Sequence, residues 1–212
     1  RKAYNTVFLN EGLEWSWSKE LYKKLLKVAG GKERIKFFDG NITSKKYHLN
    51  EKDILKIHNK KNERYNQWVN QGFLKLRPGI KSLIDKAIDN NLKLAISTST
   101  STMNVKSLFE NCFGIDPNSI FNAIATGEMV KRKKPDSELY LLALNKLSLD
   151  PSVCIAFEDS NIGLLSAKKA KITTICSPSE YHLDDDFKMA DFICEEFTKE
   201  KLPSNLRQLI LS

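Results

Sequence analysis

The sequence predicts an α/β fold: an all-helical unit followed by a mostly parallel sheet with helices on both faces. Three observations predict it. Residues 1–75 carry helical patterns and no strand-like run. From about residue 78, short apolar runs alternate with helical stretches, which is the rhythm of βαβ units. Three of those connections carry polar residues where a strand gives way to a helix, and ligands of parallel sheets bind at such carboxyl ends.

The elements follow in order. A helix covers about 1–11 and stops at Gly12. Ser18 is placed to cap a helix over KELYKKLLKVA, closed by Gly30 and Gly31. A short helix follows over KERIKFF. Asn50 caps a long one over EKDILKIHNKKNERYNQWVNQ, which Gly72 ends. The boundary between the two units falls near 73–79, in FLKLRPG, where Pro78 opens a helix at its first turn. Next come strand 92–97, helix 102–112, strand 120–125, helix 136–147, strand 153–157, helix 160–170, strand 172–176, strand 191–194 and a final helix near 204–211.

Composition narrows the function. With 212 residues, 41% hydrophobic and 28% charged, the chain can bury a good core. No apolar run approaches the roughly 20 residues that span a bilayer, and the opening RKAYNTVFLNEG has no apolar signal region. The expectation is a cytoplasmic protein, or a stromal one in a plastid, with no membrane partner. The net charge of +8 raises nucleic acid as a partner. The basic residues are dispersed among acids, as in KELYKKLLK, so a solvated helix surface and a small anionic substrate fit better. Cys112, Cys154, Cys176 and Cys194 form no CxxC pair and read as reduced, buried thiols.

Three stretches carry chemistry. In LAISTST (94–100) an apolar strand runs into Ser97, Thr98 and Ser99 before a helix, which makes a phosphate cradle or an N-cap. In VKRKKPDSELY (130–140) Lys134 is held in the loop by Pro135, with Asp136 as the cap of the next helix. A lysine at the mouth of a sheet is a point charge suited to a phosphoryl group. In CIAFEDSNIG (154–163) a strand ends in Glu158 and Asp159, two hard oxygen donors of the kind Mg²⁺ takes.

In this order, each on a strand end, the three stretches resemble motifs two, three and four of the haloacid dehalogenase superfamily. The GGKERI stretch (30–35), the LRPG junction (76–79) and the RKAYN opening look like its CbbY-type branch. The resemblance implies a Rossmann-like core over 76–212 and an α-helical cap domain over 1–75 that sets substrate specificity. It implies a Mg²⁺-dependent phosphatase of sugar phosphates such as xylulose-1,5-bisphosphate, acting through an aspartyl-phosphate intermediate, and a monomer. Ser97 would then bind phosphate with Thr98 and Ser99, Lys134 would neutralise the phosphoryl group, and Glu158 and Asp159 would hold Mg²⁺. Lys32, Arg34 and Lys61 of the cap would meet the distal end of the substrate. A phosphosugar mutase of the β-phosphoglucomutase type, and a non-catalytic phosphate-binding module, are the alternatives.

One motif of the family has no match. Its first motif is a strand ending in DxDG, whose first aspartate attacks phosphorus, and nothing in residues 1–12 fits it. FFDGN (37–41) lacks the second aspartate and reads as a turn. Asp116, Asp150 and Asp184 to Asp186 fall in connections. The expectation is a chain that starts shortly after motif one, inactive and less stable in this form.

Overall fold

The computed structural model describes residues 1–204 and 207, so all of the expected final helix but 204 and 207 lies outside the described residues. The helical unit comprises α1 (Lys2–Asn10), α2 (Lys19–Leu25), α3 (Gly31–Phe37) and α4 (Glu51–Asn70). Each is explained locally. Ser18 Oγ accepts from Leu21 N and caps α2. Asn50 and Asp53 form a reciprocal capping box at the start of α4. On α1 the apolar residues Ala3, Tyr4, Val7 and Phe8 share one buried stripe.

That stripe meets an aromatic core. Phe8 packs edge-on to Trp15 at 5.3 Å and to Trp17 at 4.9 Å, and Trp15 packs on Phe38 at 5.1 Å. Leu25, Ile35, Ile54 and Ile57 complete the cluster, so the helical unit buries a core of its own. Helix α2 is shorter than expected and ends at Leu25. Arg34 explains the stop: its guanidinium donates to the carbonyls of Leu25 (3.0 Å) and Val28 (3.1 Å), satisfying groups that a longer helix would have paired.

The second unit runs α5 (Ile80–Asp89), β1 (Ala95–Ser97), α6 (Thr102–Phe113), β2 (Ala123–Ala125), α7 (Glu138–Leu147), β3 (Ile155–Glu158), α8 (Asn161–Lys169), β4 (Thr173–Cys176) and β5 (Phe192–Ile193). Every pairing is parallel, as the βαβ rhythm requires. The strands are shorter than their apolar runs, and two starts differ from expectation. Helix α5 begins after Pro78, with Gly79 as its N-cap at φ +83°. A Cβ there would lie 2.1 Å from the carbonyl oxygen of Phe197, so glycine is required. Helix α7 takes Ser137 as its N-cap position, and Asp136 instead accepts from Glu138 N at 3.0 Å.

The sheet is in two pieces. β2 pairs with β1, β3 pairs with β4, and β4 pairs with β5, whereas β1 and β3 do not pair with each other. Apolar residues of α5 to α8 cover the strands, with Leu83, Ile175 and Phe197 in one cluster and Ile84, Phe109 and Ile124 in another. Cys176 and Cys194 are buried, Cys112 and Cys154 are half-buried, and all four are free thiols. No helix among the described residues is long and apolar enough to cross a membrane.

Candidate active site

The site lies at the carboxyl ends of β1 and β3. Lys134 joins them: its Nζ donates to the carbonyl oxygen of Ser97 at 2.8 Å and to Glu158 Oε1 at 2.5 Å. Lysine and glutamate are both buried, so each stabilises the other's charge where water cannot. Tyr140 completes the arrangement. Its hydroxyl donates to the same Glu158 oxygen at 2.5 Å, and its ring lies 4.8 Å from the ammonium. Burial, and next the charge of Glu158, hold that hydroxyl protonated well above the usual tyrosine range.

The LAISTST run and the Ser101 that follows it divide their labour. Ser101 caps α6 by accepting from Asn104 N at 3.3 Å. The hydroxyls of Ser97 and Ser99 are buried and have no protein partner. Buried polar groups are almost always satisfied, so two orphans at one strand end are exceptional. Thr98 does not join them. Its N–H donates to Ala125 O at 2.9 Å and its hydroxyl accepts from Thr100 N, so it shapes the turn.

The two acids also differ. Glu158 is held by Lys134 and Tyr140, and its second oxygen rests against Gly163, where a Cβ would stand 1.9 Å away. Helix α8 therefore starts on top of this carboxylate, with Ser160 as its cap. Asp159 is half-buried, and its carboxylate accepts no protein hydrogen bond among the described residues, although its carbonyl accepts from Ser179 N at 3.1 Å. Asp159 is thus the one of the two acids whose carboxylate is not held by the protein among the described residues.

The helical unit closes over this region. Lys133 pairs with Glu33, Asn104 donates to Asn62 Oδ1 at 3.2 Å, and Tyr22 packs edge-on to Tyr181. Lys61 lies half-buried between the rings of Tyr4 (5.3 Å) and Tyr65 (5.9 Å). Burial, and then the nearby Arg34 charge, bring its ammonium down to about 8. Lys32 is exposed. Arg34 is turned onto the carbonyls of Leu25 and Val28 and stacks over Tyr22, so its fork holds the end of α2.

The other candidate aspartates are engaged elsewhere. Asp39 is buried in a π-helical turn and accepts from Tyr47 N and Leu49 N, each at 2.8 Å, which closes a loop of the helical unit. Asp116 and Asp150 cap short 3₁₀ turns. Asp184 pairs with Lys23, Asp185 with His182, and Asp186 accepts from Lys188 N.

Tyr140 is not among the residues expected from the sequence, and its one local signal is a tyrosine on the otherwise apolar face of ELYLLALNKL, which brings a polar tip into the core.

Fold and comparison together place the chain among hydrolases of one family. A model of the haloacid dehalogenase-like hydrolases matches residues 2–177, and the chain belongs to that family. Within the family it is similar to the CbbY proteins. It is 42% identical to protein CbbY of Rhodobacter capsulatus over 192 residues, covering 91% of this chain and 83% of that protein. Against protein CbbY of Cereibacter sphaeroides the identity is 39%, over 94% of this chain and 85% of the relative. The crystal structure of CbbY from Rhodobacter sphaeroides in complex with phosphate superposes with a TM-score of 0.88 at 39% identity, covering 92% of this chain and 86% of that one. A mutant of that protein in complex with xylulose-1,5-bisphosphate superposes equally well. A β-phosphoglucomutase from Clostridium difficile, at 23% identity and a TM-score of 0.76, shares the fold.

Proposed function

We propose that this protein acts on sugar phosphates, with a bisphosphate of the xylulose-1,5-bisphosphate kind as substrate and Mg²⁺ as cofactor. The observation that carries the reading is the convergence of two unpartnered serine hydroxyls, the Lys134 ammonium and the Asp159 carboxylate at the ends of β1 and β3. Its support is the likeness to CbbY structures holding phosphate and a sugar bisphosphate.

In this reading Ser97 and Ser99 donate to phosphate oxygens. Lys134, already fixed by Ser97 O and Glu158, neutralises the charge that gathers on the transferring group. Two adjacent carboxylates suit a hard divalent ion that also takes waters and phosphate oxygens. Asp159 would hold it, and Glu158 would stand behind as the anchor of Lys134. Mg²⁺, when bound, offsets phosphate charge. No group of three or more His, Cys, Asp or Glu side chains that could hold a metal ion lies among the described residues, so the ion would rest on Asp159 with waters and phosphate oxygens as its other donors. Residues 1–75 serve as the cap and 76–212 as the core, with Lys61 and Lys32 reaching the distal phosphate and Arg34 supporting the cap from behind.

Attack on phosphorus needs an acid in line with it, about 3–3.5 Å away. Asp39, Asp116, Asp150, Asp184, Asp185 and Asp186 face other partners, so in this reading none of them supplies that attack. The test compares residues 1–212 with the same chain carrying a strand that ends in Asp-x-Asp-Gly ahead of Arg1. Xylulose-1,5-bisphosphate should bind to both, and release of inorganic phosphate with Mg²⁺ should occur only in the extended chain. Absence of hydrolysis of any sugar phosphate by the extended chain would overturn the reading.

A further inference from the structure

We infer that Arg77, at the junction between cap and core, is a positioning residue for the candidate metal carboxylate; the inference rests on the metal reading above. Arg77 lies in the LRPG segment, far from β3 in sequence. Its guanidinium nevertheless grips the loop that follows β4. One terminal nitrogen donates to the carbonyl of Ser177 at 2.6 Å, and the other donates to Ser177 Oγ at 2.7 Å and to the carbonyl of Pro178 at 3.3 Å. Its plane also lies 5.8 Å from the ring of Phe197. This is the planar, multiply donating fork that a lysine cannot reproduce.

The gripped loop bears directly on the two acids. Ser177 N donates to the carbonyl of Glu158 at 2.8 Å, and Ser179 N donates to the carbonyl of Asp159 at 3.1 Å. Ser177 is fully buried and its own hydroxyl donates to the carbonyl of Glu195 at 2.7 Å. The backbone of both acids thus hangs on one loop, and the side chain fixing that loop comes from the hinge. The Asp159 carboxylate has no protein partner of its own among the described residues, so the orientation of its backbone decides where it points. Gly79, two residues on, packs against the carbonyl of Phe197, which holds the hinge to the same wall. Outer partners of this sort govern metal affinity without touching the metal.

The experiment measures three quantities on residues 1–212: Mg²⁺ binding by isothermal titration calorimetry, inorganic phosphate binding measured separately, and amide hydrogen exchange of segment 177–179. Arg77→Gln should weaken Mg²⁺ binding by about tenfold or more, leave phosphate binding within twofold and speed exchange at 177–179. Arg77→Lys should recover little of the loss, because it supplies charge without the fork. Ser177→Ala removes one acceptor of the fork and should weaken Mg²⁺ binding by a smaller factor; it decides the matter should Arg77→Gln not fold. Unchanged Mg²⁺ affinity in the folded variants overturns the role of Arg77 and leaves the metal reading standing. An equal loss of phosphate and Mg²⁺ binding overturns it as well, since that marks general loosening. A failure of the unaltered protein to bind Mg²⁺ sinks the metal reading, and this inference falls with it.

Discussion

Lys133 Nζ lies 2.5 Å from Glu33 Oε1, which ties the residue beside the buried Lys134 to the GGKERI turn of the cap. The pair is partly exposed, so its worth to folding is about 1 kcal/mol at most. Its value is geometric, because it sets the helical unit and the buried lysine in one closed arrangement. Glu33→Gln should leave the unfolding midpoint almost unchanged while weakening xylulose-1,5-bisphosphate binding several-fold. Inorganic phosphate, which needs no cap, should bind as before; parallel loss of both ligands would refute the latch.

Ser97 and Ser99 set function against stability. Their hydroxyls are buried without partners, so removing either should cost little folding free energy or even add some. Ser97→Ala should therefore unfold at the same or a higher denaturant concentration and bind inorganic phosphate about tenfold more weakly, roughly the loss of one charge-assisted hydrogen bond. Chemical denaturation and a phosphate titration on one sample check both halves.

The Lys134–Glu158–Tyr140 arrangement should be costly to break from any side. Lys134→Met leaves a buried glutamate uncompensated, which typically costs about 3–5 kcal/mol. Tyr140→Phe removes one hydrogen bond to a charged group and should cost about 1.5–3 kcal/mol. A double variant, Lys134→Met with Glu158→Leu, should regain much of the first loss. Additive destabilisation in urea would show that the pair is not coupled.

Lys61 gives a pH signature. Its pKa falls to about 8 in the folded protein, below the ordinary lysine value near 10.4. Between those values the unfolded chain holds more protons, so stability should rise with pH from about 8 upward. Affinity for a bisphosphate should move the other way and fall as pH rises through about 8, where the ammonium is lost. Lys61→Met should flatten both trends, and an unaltered pH profile of binding would remove Lys61 from the distal site.

Asp159→Asn should abolish Mg²⁺ binding with little change in stability, because the carboxylate makes no protein hydrogen bond among the described residues. Glu158→Gln should behave in the opposite way, with a marked loss of stability through Lys134. Identical effects would mean that the two acids share one role.

Much of this was legible in the sequence because it is local. The Ser18 and Asn50 caps are written in single side chains beside the helices they start, and both stand as expected. The strand ends at Ser97 and Glu158 followed from where apolar runs stop. What was hidden depends on partners far apart in sequence. Arg34 turns to the carbonyls of α2, Tyr140 reaches across to Glu158, and Arg77 reaches a loop 100 residues away. The amide of Thr98 belongs with these: its partner, the carbonyl of Ala125, lies on the neighbouring strand.

The aromatic core of the helical unit has an optical consequence. All three tryptophans of the chain, Trp15, Trp17 and Trp68, lie in residues 1–75. Trp15 and Trp17 are enclosed by Phe8 and Phe38, while Trp68 stands on α4 beneath the Arg64 guanidinium. Intrinsic emission excited at the indole band is therefore a beacon for one half of the molecule, and ultraviolet light alone can time the melting of the cap while the sheet stays dark.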